Sequence, residues 1–282
     1  FQTGARLYPH GCTDGVEILG RHGAGAFGVV LRARAPNEGG ILAVKALKPE
    51  HRDDQNAQER FLREARALQQ IDHRNVVGIR GVGEENGTPY AVMDFIDGPD
   101  LATVLLREGT LPTQRVAQIG AGIARGLAAI HTEGIIHRDL KPHNVLMTTN
   151  DRPVIADFGV ARQDKSTRLT LTGQLAGTPL YMAPEQFSGA EPTRSVDLYA
   201  LGTILFELLT GAVPFMGEDT LSTITAISKT APPQLDGEVP ADLRDTVMSL
   251  LAKAPADRPT QAQDVAEALE AVAEAAAQEA QR

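Results

Sequence analysis

Between Ile41 and Leu47 the chain reads Ile-Leu-Ala-Val-Lys-Ala-Leu, an apolar strand interrupted by one cation. Side chains alternate across a strand, so Ile41, Ala43, Lys45 and Leu47 share one face, and Lys45 points where its apolar neighbours point. A lysine can snorkel its ammonium past a sheet edge, and this segment alone leaves that reading open. The next element changes the balance. Residues 56–71 carry Phe61, Leu68 and Ile71 at helical spacing, and Glu64 lies on the same stripe. An inward carboxylate costs free energy unless it is paired. Lys45 and Glu64 explain one another as an ion pair, which requires a strand and a helix packed together.

The rest of the first part also reads as strands. Val16–Leu19 and Val29–Leu31 flank a glycine-rich turn, and Tyr90–Phe95 follows the helix. Asp97-Gly98-Pro99 breaks the pattern and marks a boundary between a strand-rich lobe and a helical one. Beyond it, Pro112 is expected in the first turn of a helix striped by Val116, Ile119, Ile123, Leu127 and Ile130. Residues 194–210 are apolar nearly all round, as suits a buried central helix, and Gly211 and Pro214 end it. From Glu267 to Arg282 the Ala/Glu/Gln-rich stretch reads as a helix fraying into solvent or a linker. No internal repeat is visible.

Composition narrows the function classes. A 282-residue chain with 42% hydrophobic and 22% charged residues is long enough to bury a proper core. A net charge of −9 argues against nucleic acid held by bulk electrostatics. The single cysteine, Cys12, excludes an intramolecular disulfide or a Cys-rich zinc site and suits a reducing, intracellular setting. The most apolar run, Val196–Leu209, is interrupted by Asp197 and Glu207 and is too short to span a membrane. Because the chain starts at Phe1, it reads as a fragment or trimmed piece of a longer parent.

Three motifs carry chemistry. Gly23-Ala24-Gly25-Ala26-Phe27-Gly28-Val29-Val30 lies between two strands, where glycines let backbone N–H groups approach phosphates. Glycine-rich turns are common, and a dinucleotide-binding turn would need a helix after its last glycine; here a strand follows. His137-Arg138-Asp139-Leu140-Lys141-Pro142-His143-Asn144 supplies a base, Asp139, and Asn144 joins Asp157 of Asp157-Phe158-Gly159 as hard oxygen ligands suited to Mg²⁺.

Taken in order with Ala43-Val44-Lys45, Glu64 and Ala183-Pro184-Glu185, these motifs resemble the protein kinase catalytic domain over residues 14 to 270. The resemblance implies an α+β, two-lobed fold: an antiparallel-sheet N-lobe with one main helix over 14–96, a mostly helical C-lobe over 97–270, and a tail or linker over 271–282. One departure stands in the glycine loop, where Arg21-His22 separates Leu19-Gly20 from Gly23, so either Gly20 or Gly23 opens it.

The resemblance implies roles position by position. Gly23, Gly25 and Gly28 would cover the ATP phosphates, and Lys45 would hold the α- and β-phosphates and pair with Glu64. Asn144 and Asp157 would bind Mg²⁺, with Mn²⁺ as an alternative ion. Asp139 would take the substrate hydroxyl proton and Lys141 would touch the γ-phosphate. Met93 would be the gatekeeper, with backbone groups of Asp94 and Ile96 on adenine and Val30, Ala43 and Leu146 sandwiching the base. As isolated apolar residues these would be plain core. Asp100 is read either as a ribose contact or as a solvated loop residue. His137, Phe158, Leu68 and Ile79 would form a structural spine.

Lys141, two residues after Asp139, and Gly177-Thr178 before Tyr181 resemble Ser/Thr kinases rather than tyrosine kinases. Between Asp157 and Glu185 lie Ser166, Thr167, Thr170, Thr172 and Thr178, with Arg138 as a cation able to pair with phosphate. By resemblance to bacterial receptor-type kinases, Thr170 and Thr172 are expected autophosphorylation sites, while Thr178 contacts Asp139 and Lys141. Glu185 and Arg258 would form a buried ion pair, Asp197 would cap the catalytic-loop backbone, and Tyr199 replaces a usual tryptophan. The expected partners are ATP and protein substrates, with no nucleic acid and no membrane insertion of this segment. A homodimer through the N-lobe and a cytoplasmic setting, as the intracellular part of a single-pass membrane kinase, accord with the resemblance. Two rivals are a non-catalytic pseudokinase scaffold, opposed by the competent residue at every catalytic position, and a small-molecule phosphotransferase, opposed by Ala183-Pro184-Glu185.

Overall fold

The computed structural model describes residues 1–10, 15–24, 28–35, 39–48, 54–157 and 179–280. They divide into two compact units, Phe1–Asp97 and Gly98–Arg282. In the first unit, β1 (Arg6–Leu7), β2 (Val16–Ala24), β3 (Gly28–Arg34), β4 (Ile41–Leu47), β5 (Ile79–Glu85) and β6 (Thr88–Asp94) form one antiparallel sheet. Its order is β1-β2-β3-β4-β6-β5. One face buries Leu31, Ala33, Val44, Ala46, Tyr90 and Val92 with Leu7, Val16 and Ile18.

The period of two sends the alternate residues to the opposite face. There the ladder aligns Arg32, Ala43 and Met93 in one row and Val30, Lys45 and Ala91 in the next. Helix α1 (Gln55–Leu68) packs on β5 and β6. Asp54 caps it by accepting a hydrogen bond from the Ala57 amide at 3.1 Å. Phe61 and Leu68 are buried along it as the spacing predicts, and Ile71 is buried just past its end. Strand β2 runs farther than its apolar start suggests, because it skips register between Ile18 and Gly20 and again between Arg21 and Gly23. Leu19 and His22 are therefore the extra residues of two bulges.

The second unit holds α2 (Leu101–Glu108), α3 (Thr113–Thr132), the hairpin β7 (Val145–Met147) and β8 (Pro153–Ile155), α4 (Ser195–Thr210), α5 (Thr220–Lys229), α6 (Ala241–Leu250) and α7 (Ala262–Ala280). Helix α4 is buried on every side, and Gly211 closes it at φ 78°, a left-handed conformation that glycine adopts without strain. Pro112 stands at the cap position just outside α3 rather than in its first turn. Asp100 is not simply solvated: its carboxylate caps α2, accepting from the Thr103 amide at 2.6 Å. No described helix is long and apolar enough to cross a membrane.

The C-terminal stretch differs from expectation. Instead of fraying from Glu267, α7 packs along α3, with Leu269, Val272 and Ala273 buried and exposure resuming at Glu274. Val265, Leu269 and Val272 recur at four and three residues, an apolar stripe hidden by the Ala/Glu richness around it. Gly120 permits the approach, since a Cβ there would stand 2.9 Å from Leu269 and 2.7 Å from Leu205. Arg125 and Glu270 join the two helices by a bidentate ion pair. Leu269→Ala is expected to lower the unfolding free energy by ~2–5 kcal/mol in a denaturant titration; a loose tail would show no change.

Candidate active site

In the second unit the candidate site is built on the β7–β8 hairpin. Val145 pairs with Ile155, so Asn144 immediately before β7 and Ala156-Asp157 immediately after β8 emerge at the same end. The Ala156 amide donates to the Asn144 carbonyl at 2.8 Å, and His137 Nε2 donates to the Ala156 carbonyl at 3.2 Å. The 137–144 loop and the segment leading to Asp157 are thereby stitched together.

Within that loop, Lys141 Nζ donates to Asp139 Oδ2 at 2.8 Å. Asn144 Nδ2 donates to the Asp139 carbonyl at 2.7 Å and lies 3.3 Å from Asp139 Oδ2. Committing its nitrogen this way leaves the Asn144 amide oxygen as the acceptor it can offer a ligand. Asp157 is exposed. Arg138 and Asp157 both hold left-handed backbone, φ 65° and 51°, each at a cost of ~1–3 kcal/mol.

Asp197, in the first turn of α4, offsets the strain at Arg138. Its Oδ1 accepts from the Arg138 amide at 2.8 Å and its Oδ2 from the His137 amide at 2.9 Å. Charge-assisted bonds of this kind contribute ~1.5–3 kcal/mol each. A third donor, His131 Nε2 at 2.8 Å, completes the shell, with side chains only 4% and 1% exposed. The sequence pattern did not single out His131, although it stands four residues after Leu127, on the buried stripe of α3. His137 is buried, and desolvation lowers its pKa against the raising influence of Asp197; the ring is neutral.

The Glu185–Arg258 pair forms as expected. Arg258 donates to the two Glu185 oxygens at 2.6 and 2.8 Å. Its remaining N–H groups reach the carbonyls of Ala252, Ser195 and Lys253 at 2.7, 3.1 and 3.0 Å, so all five donors of the guanidinium are used. The guanidinium also stands 4.9 Å from the Tyr199 ring centre. Tyr181 donates to Glu207 at 2.6 Å, and burial raises both pKa values.

In the first unit, Val30, Ala43, Lys45 and Met93 lie on the sheet face opposite the core. Gly28 stands beside Lys45: a Cβ there would meet the lysine stem at 3.5 Å and the Ala46 carbonyl at 3.0 Å. Gly23 pairs opposite Val30, Glu64 is half-buried on α1, and Ile96 is half-buried beyond β6. Asp94 is engaged on both sides. Its amide donates to Gly78 O at 2.9 Å and its carboxylate pairs with Arg80 at 2.6 Å. In the second unit, Leu146 is half-buried on β7 and bridges to Asp100. Cys12, Gly25, Phe158, Gly159, Ser166, Thr167, Thr170, Thr172, Gly177 and Thr178 lie outside the described residues.

The protein kinase domain family matches residues 16–271, and the chain belongs to that family. Serine/threonine-protein kinase PkaA of Streptomyces coelicolor is 40% identical over 272 residues, covering 92% of this chain and 49% of the relative. The kinase PknA of Corynebacterium glutamicum is 37% identical over 236 residues, 82% of this chain and 50% of the relative. Serine/threonine-protein kinase PknD of Mycobacterium tuberculosis is 35% identical over 269 residues, 94% and 40% of the two chains. The chain thus spans half or less of the length of these relatives.

Two outcomes follow from the buried ionisable groups. Arg258→Ala leaves the Glu185 carboxylate unpaired and is expected to lower stability by ~3–5 kcal/mol, read as a depressed melting temperature and poor soluble yield; normal melting would contradict it. For His137 the folded pKa lies below the unfolded 6.5, so the unfolded chain takes the proton first as pH falls. Its contribution is full above that value and declines below it. Melting temperature is expected to fall from about pH 7 to about pH 5, and less steeply in His137→Phe.

Proposed function

We propose that the chain is the catalytic domain of a Ser/Thr protein kinase, transferring the γ-phosphoryl group of ATP to protein hydroxyls. The observation that carries this reading is the cluster of Asp139, Lys141 and Asn144, tied through Ala156 to Asp157. Asp139 orients the attacking hydroxyl and accepts its proton as the oxygen bonds to the γ-phosphorus and ADP leaves. Lys141, held beside Asp139, neutralises charge on the transferring phosphoryl. Positioning and charge neutralisation carry the rate, since little covalent chemistry falls to the protein.

Among the described residues no cluster of three or more His, Cys, Asp or Glu could cage a metal. Mg²⁺ takes one or two protein carboxylates and completes its shell with phosphates and water. Asn144 and Asp157 would hold it, or Mn²⁺ in its place, and the ion would neutralise phosphate charge. Lys45 would pair with Glu64 and hold the α- and β-phosphates beneath Gly23, Gly25 and Gly28. Val30, Ala43 and Leu146 would pack on adenine, with Met93 behind it. Because the Asp94 amide already donates to Gly78, its carbonyl and the backbone of Ile96 would bind the base.

Thr170 and Thr172 are proposed as autophosphorylation sites. Arg138 supports this: among the described residues its Nε is buried with no hydrogen-bond partner, and a phosphate would pair with it. The names of the relatives, all Ser/Thr kinases, support the hydroxyl acceptor. A cytoplasmic setting, where ATP is supplied, and a homodimer through the first unit belong to the same proposal. The test is intact-mass and peptide mass spectrometry after incubation with MgATP, comparing the native chain with Asp139→Asn. Phosphate on Thr170 or Thr172 in the native chain alone is expected; none after full incubation would remove the autophosphorylation claim.

A further inference from the structure

We propose that His22 is a positioning residue for the nucleotide, holding the glycine-rich strand against the adenine-binding segment through the ring of Phe95. His22 interrupts the run between Gly20 and Gly23, and β2 accommodates it as the extra residue of a bulge, between the pairs Arg21–Leu31 and Gly23–Val30. A bulge re-aims a side chain. The His22 imidazole meets Phe95 edge-on, with ring centres 5.1 Å apart and an interplanar angle of 76°. Arg32 of β3 places its guanidinium 5.4 Å from the centre of the same ring.

The location gives the contact its meaning. Arg32 stands in the row Arg32–Ala43–Met93, on the sheet face assigned to adenine, and Phe95 lies between Asp94 and Ile96, whose backbone would bind the base. Asp94 is fixed toward β5 by Gly78 and Arg80. Phe95 is fixed toward β2 and β3 by His22 and Arg32. The end of β6 is thus clamped from both directions, and the β2 side of the clamp depends on a residue that no phosphate-binding role requires. The inference rests on the kinase reading above and adds to it a residue that governs nucleotide affinity rather than phosphoryl transfer.

The experiment is steady-state kinetics with ATP and calorimetric binding of MgADP for the native chain, His22→Ala, His22→Phe, Phe95→Ala and His22→Ala/Phe95→Ala. An aromatic pair of this kind is worth about a three- to tenfold change in affinity. His22→Ala is expected to raise the KM for ATP and the Kd for MgADP by that factor, with kcat changed less than about twofold. His22→Phe, which keeps the ring contact, should restore native values. Phe95→Ala should raise KM similarly, and the double variant no further. Melting temperatures check that the exposed His22 substitutions leave the fold intact. Unchanged KM and Kd in His22→Ala, or equal impairment in His22→Phe, would overturn the role of His22. A native chain that binds no MgADP would overturn the kinase reading instead.

Discussion

One buried carboxylate organises the chemistry of the second unit. Asp197 sits at the start of α4, where the helix dipole favours negative charge, and it accepts from two consecutive backbone amides and one imidazole. Consecutive amides converge on one carboxylate only if the chain bends sharply, which is the conformation Arg138 adopts at φ 65°. The bend delivers Asp139 to Lys141 and Asn144. Two charge-assisted bonds, at ~1.5–3 kcal/mol each, outweigh the ~1–3 kcal/mol of backbone strain. The left-handed arginine is therefore held in place by a rigid helix rather than by the loop itself.

Elsewhere, strand register performs the same task. The β7–β8 pairing brings Asn144 and Asp157 to the same end because they flank the paired residues Val145 and Ile155. In the first unit, rows across β3, β4 and β6 bring Val30, Ala43, Lys45 and Met93 onto one face. A slip of one residue would turn all of them into the core. The side chains proposed to act are thus placed by elements whose register the apolar residues on the other face enforce.

Much of this was legible in the sequence, for local reasons. Period-two alternation put Lys45 on one strand face with Ala43, helical spacing put Glu64 on the stripe of Phe61 and Leu68, where it is half-buried, and the order of motifs marked out the 137–144 loop. The Glu185–Arg258 pair was readable because both residues belong to recognisable motifs. What escaped depends on contacts between segments far apart in the chain. His131 becomes meaningful only when α4 brings Asp197 to it. The stripe on α7 was masked by alanine and glutamate, and its burial depends on Gly120 of α3, well over a hundred residues earlier. Asp100 carried a readable cap signal, an Asp ahead of an apolar run, that the functional alternatives overshadowed. The His22–Phe95 contact requires the bulge, and a bulge is invisible without the partner strand.

The central claim is that the Asp197 carboxylate holds the 137–144 loop in the geometry that the proposed phosphoryl transfer needs. The most direct measurement is Asp197→Asn, which preserves shape but turns one acceptor oxygen into a donor facing amides that also donate. Hydrogen exchange at the His137 and Arg138 amides, read beside kcat on the same sample, separates local from global effects. Faster exchange at both amides and a fall in kcat of about 100-fold or more, in a chain that still melts cooperatively, is the predicted result. Native protection and native turnover in Asp197→Asn would contradict the account.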